Sequence, residues 1–174
     1  VKQKRGYIHL YTGNGKGKTT AAMGLALRAA GAGMKVFIVQ FLKGQASAER
    51  KAFERLSDLV TIMHFGTGQL IKDKPTDRDM ALAAEGLIEA RRALISEEYD
   101  VVILDEIAVA VHFGLIPLED VLSLIKEKPS FVELVLTGRY ADPALIEAAS
   151  LVTEMKDIKH YYDQGVAARK GIES

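Results

Sequence analysis

The sequence predicts a three-layer α/β fold, a mostly parallel sheet with helices on both faces, and three observations carry that prediction. Short β-rich runs alternate along the chain with helical patterns, as they do where strands are joined by crossover helices. The run Val101-Val102-Ile103-Leu104 is apolar without alternation, which is what a central parallel strand buried on both faces requires. A glycine-rich segment, Thr12–Thr20, stands between a strand pattern and a helix pattern, at the strand end where such sheets hold their ligands.

Taken in order, the strands are expected at Tyr7–Thr12, Lys35–Phe41, Val60–His64, Val101–Asp105, Val132–Thr137 and, with a weaker pattern, Leu151–Glu154. A first helix is expected from Lys18 through Ala30, with Gly31 and Gly33 supplying its C-cap conformations. A longer helix is expected over Asp77–Ser96, where Met80, Ala83, Ala84, Leu87, Ala90, Arg91 and Leu94 fall near helical spacing. Pro117 and Pro143 sit where first helical turns begin, Pro143 directly after the N-cap candidate Asp142. The stretch Phe65–Thr76, with Gly66, Gly68 and Pro75, is the least regular, which makes it a candidate substrate loop.

Composition narrows the function. At 174 residues, of which 48% are hydrophobic and 26% charged, residues 1–174 are read as a single nucleotide-binding domain with a sizeable core. Lys and Arg number 23 against 23 Asp and Glu, so the neutral chain is not expected to bind nucleic acid or other polyanions in general. The absence of cysteine removes disulfides, Cys-ligated zinc, iron–sulfur clusters and thiol nucleophiles from consideration. No apolar run reaches the length of a membrane span and no signal-peptide pattern is visible, so the expected compartment is the cytoplasm.

The chemistry concentrates in Thr12-Gly13-Asn14-Gly15-Lys16-Gly17-Lys18-Thr19-Thr20. Glycines allow the backbone to turn its N–H groups inward, and the helix that follows adds the positive end of its dipole, so the segment reads as a phosphate-binding loop. Gly13, Asn14, Gly15, Lys16, Gly17, Lys18, Thr19 and Thr20 are therefore the candidate nucleotide contacts. Lys18 and Thr19 are the candidate catalytic pair, the first as an ammonium on phosphate oxygens and the second as a hydroxyl ligand of Mg²⁺. The spacing departs from G-x-x-x-x-G-K-[ST], because the position of the first glycine is occupied by Thr12 and Gly13 is displaced by one.

Asp105 and Glu106 close the buried run at 101–104 and are the candidate metal carboxylates, together with Thr19. Arg139, after another apolar strand, is a candidate phosphate fork, with a surface ion pair as the competing role. Arg28 reads as a helix-surface residue. His9, His64, His112 and His160 lack metal-ligand spacing and read as structural or surface histidines.

These residues carry a family resemblance. Residues 13–21, Gly-Asn-Gly-Lys-Gly-Lys-Thr-Thr-Ala, resemble the phosphate loop of ATP:corrinoid adenosyltransferases. The likeness continues through Val39-Gln40-Phe41-Leu42-Lys43-Gly44, Gly66-Thr67-Gly68, Leu104-Asp105-Glu106, Leu136-Thr137-Gly138-Arg139 and Lys159-His160, and ends with Gly165, Ala168 and Gly171-Ile172-Glu173. The resemblance implies a P-loop NTPase fold of the RecA-like kind, with ATP bound in the reverse sense. It implies transfer of the 5′-deoxyadenosyl group of ATP to a Co(I) corrinoid, cobalamin or a precursor, with release of triphosphate.

By the same resemblance Thr19 and Glu106 hold Mg²⁺, a flavoprotein reductase supplies Co(I), and the enzyme is a homodimer. Gly68 is followed by Gln69-Leu70-Ile71, without the aromatic residues that help displace the lower cobalt ligand in some members, which leaves apolar Leu70 and Ile71 as the expected substitute. Two other readings use the same loop: a P-loop ATPase or small-molecule kinase, and a nucleotide-sensing binding module.

Overall fold

The computed structural model describes residues 5–44, 48–69, 71 and 74–173. Strands β1 (Ile8–Thr12), β2 (Val36–Phe41), β3 (Val60–Phe65), β4 (Val101–Asp105), β5 (Glu133–Thr137) and β6 (Leu151–Glu154) form one six-stranded sheet in the order β3-β2-β4-β5-β1-β6. Every adjacent pair is parallel, so all six strands present their carboxyl ends along one edge. The β4 run expected to be central lies between β2 and β5 and is buried throughout.

Helices cover both faces, and strand parity decides which residues meet them. On one face helix α1 (Lys18–Gly31) sets Ala22, Met23, Ala26, Ala29 and Ala30 against Val36, Ile38, Val101, Ile103 and Val135. Its alanines keep the contact surface low, so the helix lies close to the sheet. Phe53 of the short helix α2 (Ala48–Phe53) joins that cluster. On the other face α3 (Asp77–Ile95), α4 (Ile107–His112), α5 (Leu118–Glu127) and α6 (Pro143–Ala148) cover Phe37, Val39, Phe41, Val102, Leu104, Leu134 and Leu136.

Local signals fix the helix ends. Thr76 and Asp79 form a capping box at the start of α3, Thr76 Oγ1 accepting from the Asp79 N–H at 3.2 Å and Asp79 Oδ2 from the Thr76 N–H at 3.0 Å. Asp142 caps α6 with Pro143 in its first turn, as expected. Pro117 stands one place earlier than expected, as the extended residue preceding α5. The C-cap expectation for α1 is also corrected. Gly31 is the last helical residue, Ala32 is the cap, and Gly33 alone takes the left-handed conformation, with φ +77°.

One glycine secures the α3 face by size. A Cβ at Gly86 would come within 2.9 Å of both Phe41 and Phe65, whose rings are pinned in the core. Gly86→Ala is therefore expected to destabilise the protein by about 1 kcal/mol net, overpacking outweighing the gain in helix propensity. Urea unfolding of the variant checks this.

Candidate active site

The phosphate loop leaves β1 at Thr12 and turns at Gly13, whose φ of +94° lies in the region glycine alone adopts cheaply. Thr12 remains the last strand residue, so the displaced glycine makes the turn one position later than the consensus spacing implies. The loop rests on the segment leaving β6. The Gly15 N–H donates to the Met155 carbonyl at 2.7 Å, and side chains at Gly13 or Gly15 would collide with the Met155 and Lys156 backbone at 2.4–2.9 Å.

Lys18 opens α1 and is buried, its ammonium donating to the Gly13 carbonyl at 2.8 Å and the Gly15 carbonyl at 2.7 Å. Burial pushes its pKa down and Arg139 adds to that, while Glu106 and Asp105 pull the other way. The charge is thus held in the loop at an energetic cost, as in a site prepared for an anion.

Asp105 ends β4 on the α1 face, fully buried, and four side chains donate to it at 2.8 Å. The Thr19 and Thr137 hydroxyls meet Oδ1, and Gln40 Nε2 and Lys43 Nζ meet Oδ2. Register explains the convergence, because His64, Gln40 and Asp105 are direct cross-strand partners on β3, β2 and β4. Burial alone would raise the Asp105 pKa, but the Lys43 charge and the bonds from Lys43, Gln40 and Thr137 outweigh it and hold the carboxyl below its usual range.

Glu106 follows in the left-handed conformation, φ +66°, with its N–H donating to Thr137 Oγ1 at 2.9 Å. Its side chain lines the cleft, and burial, reinforced by the Asp105 charge, raises its pKa. A carboxyl whose folded pKa is raised loses stability as pH climbs from the ordinary 4.5 to the folded value, and the penalty is complete above it. Glu106→Gln is expected to raise the melting temperature of the nucleotide-free protein at neutral pH and to flatten that decline, as a pH series of thermal melts will show.

These groups line a cleft of about 910 Å³ that gathers residues 14–20 of the loop with Lys43, Glu106 and Arg139. The cleft thus unites every candidate contact except Gly13, which shapes the loop behind it, and Asp105, which lies beneath it. Arg28 lies in the last turn of α1, away from the loop, and is exposed as expected. His9 pairs with Glu133 at 2.6 Å, a structural role. His160, by contrast, lines the cleft together with Asp157, Tyr162 and Glu173 of the C-terminal segment. Lys16 ties that segment to the loop by donating to the Ile172 carbonyl at 3.0 Å, and Glu173 with Arg169 and Tyr161 braces it internally.

Leu70 lies outside the described residues, and with it part of the expected substrate loop. Ile71 packs against the core. Gly66-Thr67-Gly68 approaches the end of β2, where a Cβ on Gly44 would fall 2.4 Å from the Thr67 carbonyl carbon.

Among the described residues no group of three or more His, Cys, Asp or Glu forms a metal-binding cluster, and the candidate set Glu106, Asp105 and Thr19 supplies oxygen donors only. That sparse oxygen set suits Mg²⁺, which keeps most of its shell for water and substrate phosphates. Thr19 gives its proton to Asp105, which leaves its oxygen to face a cation, and Lys43 Nζ donates to it at 3.5 Å.

A glycine-rich loop on β1, separated by β5 alone from β4 and its terminal Asp105, is the arrangement of a P-loop NTPase-like fold. Solved structures share the fold. A KaiC-like protein from Pyrococcus horikoshii superposes with a TM-score of 0.60 at 16% identity, covering 90% of this chain and 75% of that one. The flagellar accessory protein FlaH of Methanocaldococcus jannaschii gives 0.57 at 14%, covering 87% and 72%.

Sequence resolves the family within that class. The family profile described as ATP:corrinoid adenosyltransferase BtuR/CobO/CobP matches residues 4–174, and the chain belongs to this family. It is 39% identical to a corrinoid adenosyltransferase of Pseudomonas aeruginosa, across 99% of this chain and 86% of the relative. The Escherichia coli K12 corrinoid adenosyltransferase is 38% identical over 99% and 88%, and that of Salmonella typhimurium 36% over the same shares.

Proposed function

We propose that this protein transfers the 5′-deoxyadenosyl group of ATP to the Co(I) centre of a corrinoid, cobalamin or a precursor, and releases triphosphate. The observation that carries the reading is the joining of loop, Lys18 and Arg139 in one cleft, within a chain of this family. In the reaction the cobalt electron pair forms the Co–C5′ bond, the C5′–O5′ bond breaks, and its electrons leave on the triphosphate. A whole triphosphate is the leaving group, so the protein's work is positioning and charge neutralisation.

Lys18 and the loop N–H groups of residues 14–20, other than that of Gly15, which Met155 takes, hold the triphosphate, and Arg139 adds a fork at the cleft wall. Thr19 and Glu106 hold Mg²⁺, while Asp105, fully engaged by its four donors, orients Thr19. When bound, Mg²⁺ neutralises charge on the triphosphate. The same reading places the protein in the cytoplasm as a homodimer of a single domain, served by a flavoprotein reductase. The family disfavours the P-loop ATPase or small-molecule kinase alternative.

The metal assignment is tested anaerobically with ATP and chemically reduced cob(I)alamin, following loss of Co(I) absorbance. EDTA is expected to stop transfer and Mg²⁺ to restore it, with Glu106→Gln raising the Mg²⁺ requirement by about tenfold, the loss of one charged ligand. An unchanged requirement in the variant removes Glu106 from the metal site.

A further inference from the structure

Lys43 has no place in the reading so far, yet its ammonium stands at the centre of the charge network. It lies 2.8 Å from Asp105 Oδ2 and 3.5 Å from Thr19 Oγ1, and it also lines the cleft. Its side chain is 32% exposed while Asp105 is wholly buried, so the lysine approaches the carboxylate from the solvent side. Leu42 delivers it there, holding a left-handed φ of +66° that turns the chain at the end of β2.

A cation beside Asp105 and Thr19 answers the same electrostatic need as a divalent ion. Without either, a buried carboxylate and the adjacent Glu106 would face each other uncompensated. With both, positive charge would accumulate where one cation suffices. The ammonium has somewhere else to go, because the cleft it lines is the one that receives the triphosphate.

We propose that Lys43 is an exchangeable counter-ion, resting on Asp105 in the nucleotide-free protein and transferring to the triphosphate when a divalent cation takes over beside Thr19 and Asp105. This rests on the reading of the cleft as a triphosphate site. Lys43 then serves twice: it keeps the empty site neutral, and it adds a charge-assisted hydrogen bond to the nucleotide. The close approach of Gly44 to the Gly66-Thr67-Gly68 backbone ties the lysine's position to that neighbouring loop.

Two binding measurements on Lys43→Met and Lys43→Gln test the exchange. Calorimetric titration with inorganic tripolyphosphate at saturating Mg²⁺ is expected to show affinity reduced by about tenfold in both variants, the loss of one charge-assisted bond. Titration of the nucleotide-free proteins with Mn²⁺, read by electron paramagnetic resonance, is expected to show affinity raised several-fold, because the competing ammonium is gone.

Opposite changes cannot come from partial unfolding, which lowers both affinities. Unchanged tripolyphosphate binding, or Mn²⁺ binding that does not rise, would overturn the exchange and leave Lys43 a fixed ion pair. If wild-type protein itself fails to bind tripolyphosphate, the triphosphate reading of the cleft falls first, and this inference with it.

Discussion

Lys18→Ala is expected to slow adenosyl transfer by roughly 10²- to 10³-fold, the loss that follows removal of one preorganised donor at a site of developing charge. The ammonium is already inside the loop, held by the Gly13 and Gly15 carbonyls, so no search is needed when the nucleotide arrives. Alanine removes both the charge and its preorganisation. The effect on stability should be small, because two contributions oppose each other. The variant loses two hydrogen bonds to loop carbonyls, but it also loses a charge that the fold disfavours.

That second contribution has a definite sign. Burial and Arg139 lower the Lys18 pKa, so the folded state binds the proton less well than the unfolded state does. The penalty is present in full below the folded pKa and disappears as pH rises to the ordinary 10.5. Transfer rates with reduced cobalamin, beside thermal melts of both proteins, separate the two effects. Wild-type transfer in a folded Lys18→Ala protein would remove the loop from the chemistry.

Asp105→Ala should be the most damaging single change to the fold of the site. It leaves Thr19, Thr137, Gln40 and Lys43 without their common acceptor. Breaking a buried charged pair in this way typically costs about 3–5 kcal/mol. For a chain of this size that corresponds to a fall in melting temperature of roughly 10 °C.

Asp105→Asn separates structure from function at the same position. With its amide nitrogen toward the Thr19 and Thr137 hydroxyls and its oxygen toward Gln40 and Lys43, asparagine satisfies the same four partners, at a cost of about 1–2 kcal/mol for the lost charge. The Thr19 oxygen must then accept from the amide, and its proton, deprived of Asp105, turns toward the position a cation would take. Asp105→Asn should therefore fold and still lose most of its transfer activity, whereas an active Asp105→Asn protein would mean that Thr19 needs no such orientation.

The low Asp105 pKa adds a pH consequence. Its contribution to stability is present above the ordinary 3.8 and is lost as pH falls through the depressed folded value.

The sequence was most informative where one physical signal sufficed. Unbroken burial marked β4, and period and turn residues marked α1 and α3. The loop at 13–20 was legible because its glycines have no other reason to stand between a strand and a helix. Helix α4 was not expected. Ile107, Val109 and Val111 are β-branched, and the helix exists because Glu106 turns left-handed and Ile107, Ala108 and Ala110 find burial.

Gln40 and Lys43 were missed as site residues, although the same signal that found Asp105, a polar residue ending an apolar strand, was available at the end of β2. Their role depends on cross-strand register, which the strands do not disclose one at a time. His160 lines the cleft although its sequence context reads as structural or surface, because the fold-back of the C-terminal segment onto Lys16 is a contact across 156 positions.

On the proposed function the loop holds a triphosphate that leaves intact. The direct test is ³¹P NMR of an anaerobic reaction of ATP, Mg²⁺ and cob(I)alamin, with Co–C bond formation followed by its visible absorbance. One inorganic triphosphate is expected for each Co–C bond formed, with no ADP. ADP and phosphate, in the absence of a Co–C bond, would contradict the account and assign the cleft to hydrolysis or phosphoryl transfer.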